Sequence, residues 1–316
     1  MATKPKHAGN PRTAVLRGIR RSASGYLWLL KILIPISFAT ALLDYSGWIH
    51  QLDVVLKPAM AILSLPPAAA LPILIGILTG VYGCIAAMAV LPLAVDHMTI
   101  VTVFVLIAHS LPQEGIIQAK SGINFVKTTV ARLVAAVATG LVVAACLRPD
   151  DGGAAAAVSI LREIPSFWPF LQNWLTEMLR LCIKILAIIL GVMIAIELMK
   201  EFNLIDLLVR PFAPVLKMMG LDRRAGVLWL TGVFFGLSYG GAVIVEQSRE
   251  LHLSPKEVEK LQLSIGINHS MIEDPLLFLP FGIHPAWLLV PRLAAAILAV
   301  YCVDLSFWLR KTLKAN

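Results

Sequence analysis

The chain has 316 residues, of which 58% are hydrophobic and only 15% charged, and its mean hydropathy is +0.81. Soluble domains carry roughly 25% charged residues, so this composition excludes an ordinary soluble globule and specifies an integral membrane protein. The formal net charge of +8 rests mostly on loop Lys and Arg, which reads as membrane topology and not as nucleic-acid binding.

Residues 1-22 form a basic tail with Lys4, Lys6, Arg12, Arg17, Arg20 and Arg21, expected in the cytoplasm by the positive-inside rule. An apolar run at 24-43 follows. Its Ala39-Thr40-Ala41 resembles a signal-peptide cleavage site, but the matching run at 173-198 lies mid-chain, so 24-43 is expected to be a retained span. Further runs long enough to cross a hydrocarbon core of about 30 Å lie near 70-93, 124-147, 226-245 and 286-309. Two shorter apolar runs, 99-112 and 261-272, stop at a His-Ser pair and read as half-helices. The stretches 48-64 and 202-218, interrupted by Pro58, Pro211 and Pro214, read as short interfacial helices. A polar, Gly/Pro-marked segment at 148-171 reads as an extracytoplasmic linker. The cysteines Cys84, Cys146, Cys182 and Cys302 lie in apolar segments without ligand spacing and read as core filler.

The chain carries the same stretch twice. His109-Ser110, Gly122-Ile123 and Arg132-Leu133 recur, at one offset, as His269-Ser270, Gly282-Ile283 and Arg292-Leu293. Glu114 faces Asp274 as a like-charged match, Gly76-xxx-Gly80 is echoed by Gly232-xxx-Gly236, and Lys31 pairs with Lys184. A unit of roughly 125 residues is too long for a solenoid, whose periods run about 20 to 50 residues, and fits a duplicated half-transporter. Repeat 1 is placed at 23-147 and repeat 2 at 172-312. The loop 44-69 is poor in cations, whereas 199-225 carries Lys200, Arg210, Lys217, Arg223 and Arg224. Opposite sides for equivalent loops imply inverted repeats, each with an odd number of crossings. The expected architecture is all-α: per repeat about three transmembrane helices, a re-entrant helical hairpin (98-122 and 257-284) and an interfacial helix. Both termini are expected in the cytoplasm, in a bacterial inner membrane.

Polar residues at membrane depth are expensive, about 2.5 to 3.5 kcal/mol each for charged types, and face a cavity or a partner. Here they recur by repeat. One tip reads His109-Ser110-Leu-Pro112-Gln113-Glu114-Gly115 and the other Asn268-His269-Ser270-Met-Ile-Glu273-Asp274-Pro275. Pro112, Gly115 and Pro275 are expected to break the helices, and breaks at this depth line a protein-enclosed cavity. Two such tips related by a pseudo-two-fold would meet near the midplane, where inverted-repeat transporters hold solute and ions. The candidate binding residues are therefore His109, Ser110, Glu114, Asn268, His269, Ser270, Glu273 and Asp274. The other reading is that they pin the tips by bonding loose backbone groups. Arg132 and Arg292 are either partners of their own hairpin's carboxylate or cationic posts for an anionic solute. Tyr82 and Tyr239 follow the glycine pairs and could stack on a planar ligand, while the glycines allow close helix approach. Metal candidates are His109, His269, Glu114 and Asp274, since imidazole and carboxylate suit iron, zinc or manganese.

The paired repeats, the Gly-xxx-Gly helices and the Asn268-His269-Ser270 to Asp274 hairpin resemble the nucleoside-recognition (Gate) domain membrane family. That family includes spore maturation proteins A and B, is related to the permease domain of ferrous iron transporter B, and is distantly like concentrative nucleoside transporters. The resemblance spans about 24-312 and implies a transport or gating fold with paired hairpins. The chain departs from an iron-transport machine in lacking a Gly-x-x-x-x-Gly-Lys-Ser/Thr loop.

The leading expectation is a secondary transporter of a small polar or anionic solute, nucleoside-like or an organic anion, working by alternating access. No cofactor is expected, and the candidate coupling ions are H+ and Na+. The alternatives are a divalent-cation permease or gate and a non-transporting membrane scaffold. Its partners would be the lipid bilayer, the solute or ion and a second copy in a homo-oligomer, with no nucleic acid. Enzymatic activity is not expected: His and Ser are adjacent on the chain, with no sign of a base-nucleophile approach or an oxyanion site.

Overall fold

The structure is a computed structural model that describes residues 10-48, 53-149, 166-202, 212-221, 225-226, 228-234, 236-237 and 253-315. In chain order the helices are α1 (Pro11–Tyr45), α2 (Asp53–Ala61), α3 (Ala70–Thr79), α4 (Val81–Met88), α5 (Val95–Ala108) and α6 (Leu111–Lys120). There follow α7 (Phe125–Leu147), α8 (Phe167–Glu201), α9 (Ala213–Met218), α10 (Pro255–Asn268), α11 (Glu273–Leu277) and α12 (Pro285–Ala315). No strand occurs among the described residues, and four helical stretches are long and apolar enough to cross a membrane: Val95–Lys120, Phe125–Leu147, Phe167–Met199 and Pro285–Leu313. The chain is an all-α membrane protein.

The longest helices form the first pair. α1 starts where Asn10 accepts hydrogen bonds from the backbone N–H groups of Arg12 and Thr13, with Pro11 in the first turn, where a missing N–H is harmless. Residues 11-22, expected as tail, thus continue the helix. α1 and α8 have 35 residues each, about 52 Å of helix, and run antiparallel. Gly18 faces the Ile194 backbone, Ser22 reaches the Ile189 carbonyl, Tyr26 donates to the Cys182 carbonyl, and Trp174 donates to Ser37. Tyr45 stacks near Phe170 at the far end. At the near end Arg17 pairs with Glu197 and Glu201, and Arg21 with Glu197.

The apolar run 70-93 is not the single crossing expected of it. It folds back at Gly80, whose φ of +102° is a conformation that glycine adopts without a Cβ clash. As a result Gly76 lies against Cys84 and Gly83 against Ile75, pairs that a continuous helix would hold about 12 Å apart. α3 and α4, with 10 and 8 residues, reach only about 15 and 12 Å, so this is the helical hairpin of the first copy.

Residues 98-122, expected to double back, do not. Along α7 the neighbours come in one antiparallel order: Phe125 against Gly115, Thr128 on Gln118, Arg132 on His109 and Ile107, and Gly140 near Phe104. Helices α5 and α6 therefore make one discontinuous crossing, broken at His109-Ser110. The second copy repeats this: Lys260 pairs with Asp304, and Arg292 reaches the His269 carbonyl, so α10 and α11 lie along α12 and the expected hairpin at 257-284 is likewise a broken crossing. Hydropathy records how long an apolar run is but not where it turns, which is why the two kinds of element were exchanged. In the first copy this hairpin stands beside two stretches long and apolar enough to cross, Val95–Lys120 and Phe125–Leu147. Of the expected span 226-245, residues 238-245 lie outside the described residues, as does most of the expected linker.

The breaks also fall earlier than the prolines. Pro112 sits in the first turn of α6 and Pro275 within α11, because proline starts a helix as readily as it ends one. The chain turns instead at Ser110 and Ser270, with φ of 47° and 51°.

A Cβ on Gly76 would stand 2.7 Å from Val105, whereas one on Gly191 would meet nothing within 4 Å. We expect Gly76→Ala to cost about 1–3 kcal/mol through overpacking and Gly191→Ala to be neutral or stabilising. Thermal melting of detergent-purified protein decides this, and equal melting temperatures would contradict the close approach.

A pH effect follows from the α1–α8 end. The hydrogen bond from Arg17 holds the Glu201 carboxyl below its usual range, so its contribution is present at neutral pH and is lost as pH falls through that lowered value. Wild type should therefore melt slightly above Glu201→Gln at pH 7, with the gap closing under acid conditions. A gap that widens in acid would contradict the assignment.

Candidate functional site

The centre of the molecule is the place where the two broken crossings meet. Each break leaves backbone groups without helical partners, and in an apolar interior such groups must be satisfied by protein. Both copies use the same devices. The Ser110 N–H donates to the Gly76 carbonyl at 3.1 Å, and the Ser270 N–H to the Gly232 carbonyl at 3.3 Å. Arg132, fully buried, donates from Nε to the Ile107 carbonyl and from Nη2 to the His109 carbonyl, both at 2.9 Å. Arg292 donates from Nη2 to the His269 carbonyl at 2.6 Å. The glycine pairs act here too: a Cβ on Gly76 or Gly232 would stand 2.7 Å from Val105 or Ile265, and one on Gly80 would touch Ser110 Oγ.

The imidazoles meet across the duplication through their Nε2 atoms, with the rings tilted by 43°. His109 Nε2 and His269 Nε2 are 3.0 Å apart, with ring centroids at 4.6 Å. Each Nδ1 is turned back on its own helix, His109 to the Val105 carbonyl at 3.1 Å and His269 to the Ile265 and Gly266 carbonyls at 3.2 and 3.1 Å. A carbonyl only accepts, so both Nδ1 atoms carry the proton, and in the neutral rings both Nε2 atoms are acceptors. Two lone pairs then point at one place. Two carboxylates converge there as well: Glu114 Oε1 lies 3.0 Å from His269 Nε2 and 3.3 Å from His109 Nε2, and Asp274 Oδ2 lies 3.6 Å from His109 Nε2.

The arginines differ between copies. Arg132 Nη1 stands 2.7 Å from Glu114 Oε2, out of line for a hydrogen bond, so that contact is an ion pair by proximity. Arg292 has no carboxylate within 4.0 Å among the described residues, and its Nε and Nη1 lack hydrogen-bond partners there. The expected pairing of each arginine with its own carboxylate thus holds for Arg132 and fails for Arg292. Asp274 has one methylene fewer than Glu114 and lies toward His109 instead.

The other expected residues lie around this cluster. Glu273 accepts a hydrogen bond from the half-buried Tyr82 at 3.2 Å, which ties the α3–α4 hairpin of one copy to α11 of the other. Asn268 is buried and directs its amide N–H to the Met271 sulfur. Tyr239 lies outside the described residues. Sequence reasoning missed Gln118, which accepts from Thr128 at 2.8 Å and donates to the Gln262 carbonyl, joining α6, α7 and α10. Its counterpart in the duplication is Phe278 and that of Thr128 is Leu288, so a search for matched polar residues could not find them.

No family model matches the chain, and no solved structure matches it. It is 25% identical over 283 residues, covering 87% of this chain and 89% of the relative, to "Uncharacterized membrane protein YvoD" of Bacillus subtilis (strain 168). This similarity, with the apolar helices, makes the chain a multi-pass membrane protein.

Removing one partner of a buried ion pair costs about 3–5 kcal/mol. We therefore expect a loss of that order in Arg132→Met, partly recovered in Arg132→Met/Glu114→Gln, and a smaller loss in Arg292→Met. Unfolding of wild type, these three variants and Glu114→Gln in mixed detergent measures this, and strictly additive losses in the double variant would contradict the pair.

Proposed function

We propose that the chain is a secondary transporter of the bacterial cytoplasmic membrane, built from two inverted repeats with both termini in the cytoplasm, which moves a small solute by alternating access. The observation that carries this reading is the contact between His109 and His269. They are equivalent residues of the two copies, each at the break of its own discontinuous crossing, and equivalent residues touch each other only close to a two-fold axis. Such breaks at a repeat interface suit solute and ion binding in transporters. The antiparallel α1–α8 pair supports the opposite orientation that the loop charges call for.

A cavity of about 320 Å³ is lined by Asp44, Asn173, Trp174, Arg180 and Lys184 and by Phe281 on the turn after α11. That volume is at the lower end for small-molecule sites and suits a small polar or anionic solute. A second reading, a divalent-cation permease or gate, is favoured by the convergence of imidazole and carboxylate atoms at the histidine pair.

Flux into proteoliposomes tests the proposal, using a panel of nucleosides, organic anions and divalent cations. At least one member should accumulate, and His269→Ala should slow it by about tenfold or more, equivalent to losing roughly 1.4 kcal/mol of interaction. No flux across the panel, or flux indifferent to His269, would refute it.

A further inference from the structure

We propose that the histidine pair is a binding site for a borderline divalent transition-metal cation, with His109 Nε2, His269 Nε2, Glu114 Oε1 and Asp274 Oδ2 as its ligand atoms. The proposal deepens the transport reading by naming the ion at its centre, but the site itself rests on geometry alone.

The tautomers come first. With both Nδ1 atoms donating to backbone carbonyls, the inward-facing Nε2 atoms offer lone pairs 3.0 Å apart. Two buried acceptors at hydrogen-bond distance, with a carboxylate oxygen 3.0 and 3.3 Å from them, call for a positive centre among them. Outward bonding of Nδ1–H to a carbonyl is also how metal-binding imidazoles are commonly held, since it fixes ring orientation and raises the basicity of the free nitrogen.

Size comes second. A tetrahedral ion with ligands at about 2.0–2.1 Å separates neighbouring ligand atoms by roughly 3.3 Å. His109 to His269, His269 to Glu114, His109 to Glu114 and His109 to Asp274 are 3.0, 3.0, 3.3 and 3.6 Å apart, four of the six edges of such a tetrahedron. His109, His269 and Asp274 have ligand atoms all within 4.8 Å of one another. Sodium and magnesium prefer more oxygen ligands or octahedral shells, whereas two imidazoles with carboxylates select zinc, iron, manganese or cobalt.

Charge comes third, and it sets the strength. Glu114 and Asp274 are offset by the buried Arg132 and Arg292, so a divalent cation enters a cluster close to neutral rather than a strongly negative cage. Burying uncompensated charge is costly, which leads to an exchangeable site, loaded and released, in contrast to a structural metal.

The test uses the full chain purified in detergent and stripped with chelator. Wild type should bind one equivalent of Co2+ with a tetrahedral visible spectrum, and Cu2+-loaded protein should show two imidazole nitrogens by pulsed EPR. The double variant His109→Gln/His269→Gln should weaken Co2+ binding by about 100-fold, while His284→Gln, an exposed histidine outside the cluster, should match wild type. Absence of stoichiometric binding to wild type, a spectrum with one imidazole or none, or binding unchanged in the double variant would overturn the proposal. The wild-type spectra decide even if the double variant does not fold. Metal binding without flux of any solute would leave the site standing and refute the transporter, and flux without metal binding would do the reverse.

Discussion

The obligation to satisfy backbone groups inside an apolar environment governs this structure. A helix broken in mid-membrane exposes carbonyls and N–H groups that lipid cannot bond. Here Arg132 and Arg292 capture the carbonyls of the breaks, and the carbonyls of Gly76 and Gly232 capture the serine N–H groups beyond them. Glycine is required at those positions because the broken crossing has to lie almost on the backbone of its neighbour. Once the backbone is cared for in this way, the histidine side chains are released to face each other.

Consequences run outward from that point. The arginines are drawn to carbonyls, which places their charge beside the histidines and lets Glu114 and Asp274 remain buried without a large net charge. The copies are alike in their backbone devices and unlike in their charges. Glu114 is long enough to bridge Arg132 and both imidazoles, whereas Asp274 approaches only His109. On the proposed transport reading, such an asymmetric centre would let the protein favour one side of the membrane and then the other.

Much of this was legible in the residues. The crossings at 124-147, 173-198 and 286-309 followed from apolar length, and the meeting of the two tips followed from the matched His-Ser pairs and loop charges. The direction of the chain inside apolar runs was not legible. Gly80 reads as half of a helix-packing motif, yet it is a reversal point, and only its positive φ reveals this. Proline read as a breaker proved to be a starter in α6. Gln118, Thr128 and Lys260 had no matched counterpart to draw attention, and the bond from Gln118 to the Gln262 carbonyl joins the two copies, which spacing along one copy does not encode.

On the proposed transport reading, the crossing of the two breaks opens alternately to the two sides of the membrane. The most direct measurement is labelling of Ser110→Cys and Ser270→Cys by a membrane-impermeant maleimide, applied from either face of sealed vesicles, in a background with Cys84, Cys146, Cys182 and Cys302 replaced by serine. The account predicts that both positions are reached from each face, with a balance that shifts when Co2+ is added. Labelling from one face only, or from neither under any condition, would mean that the centre is a fixed barrier and would contradict it.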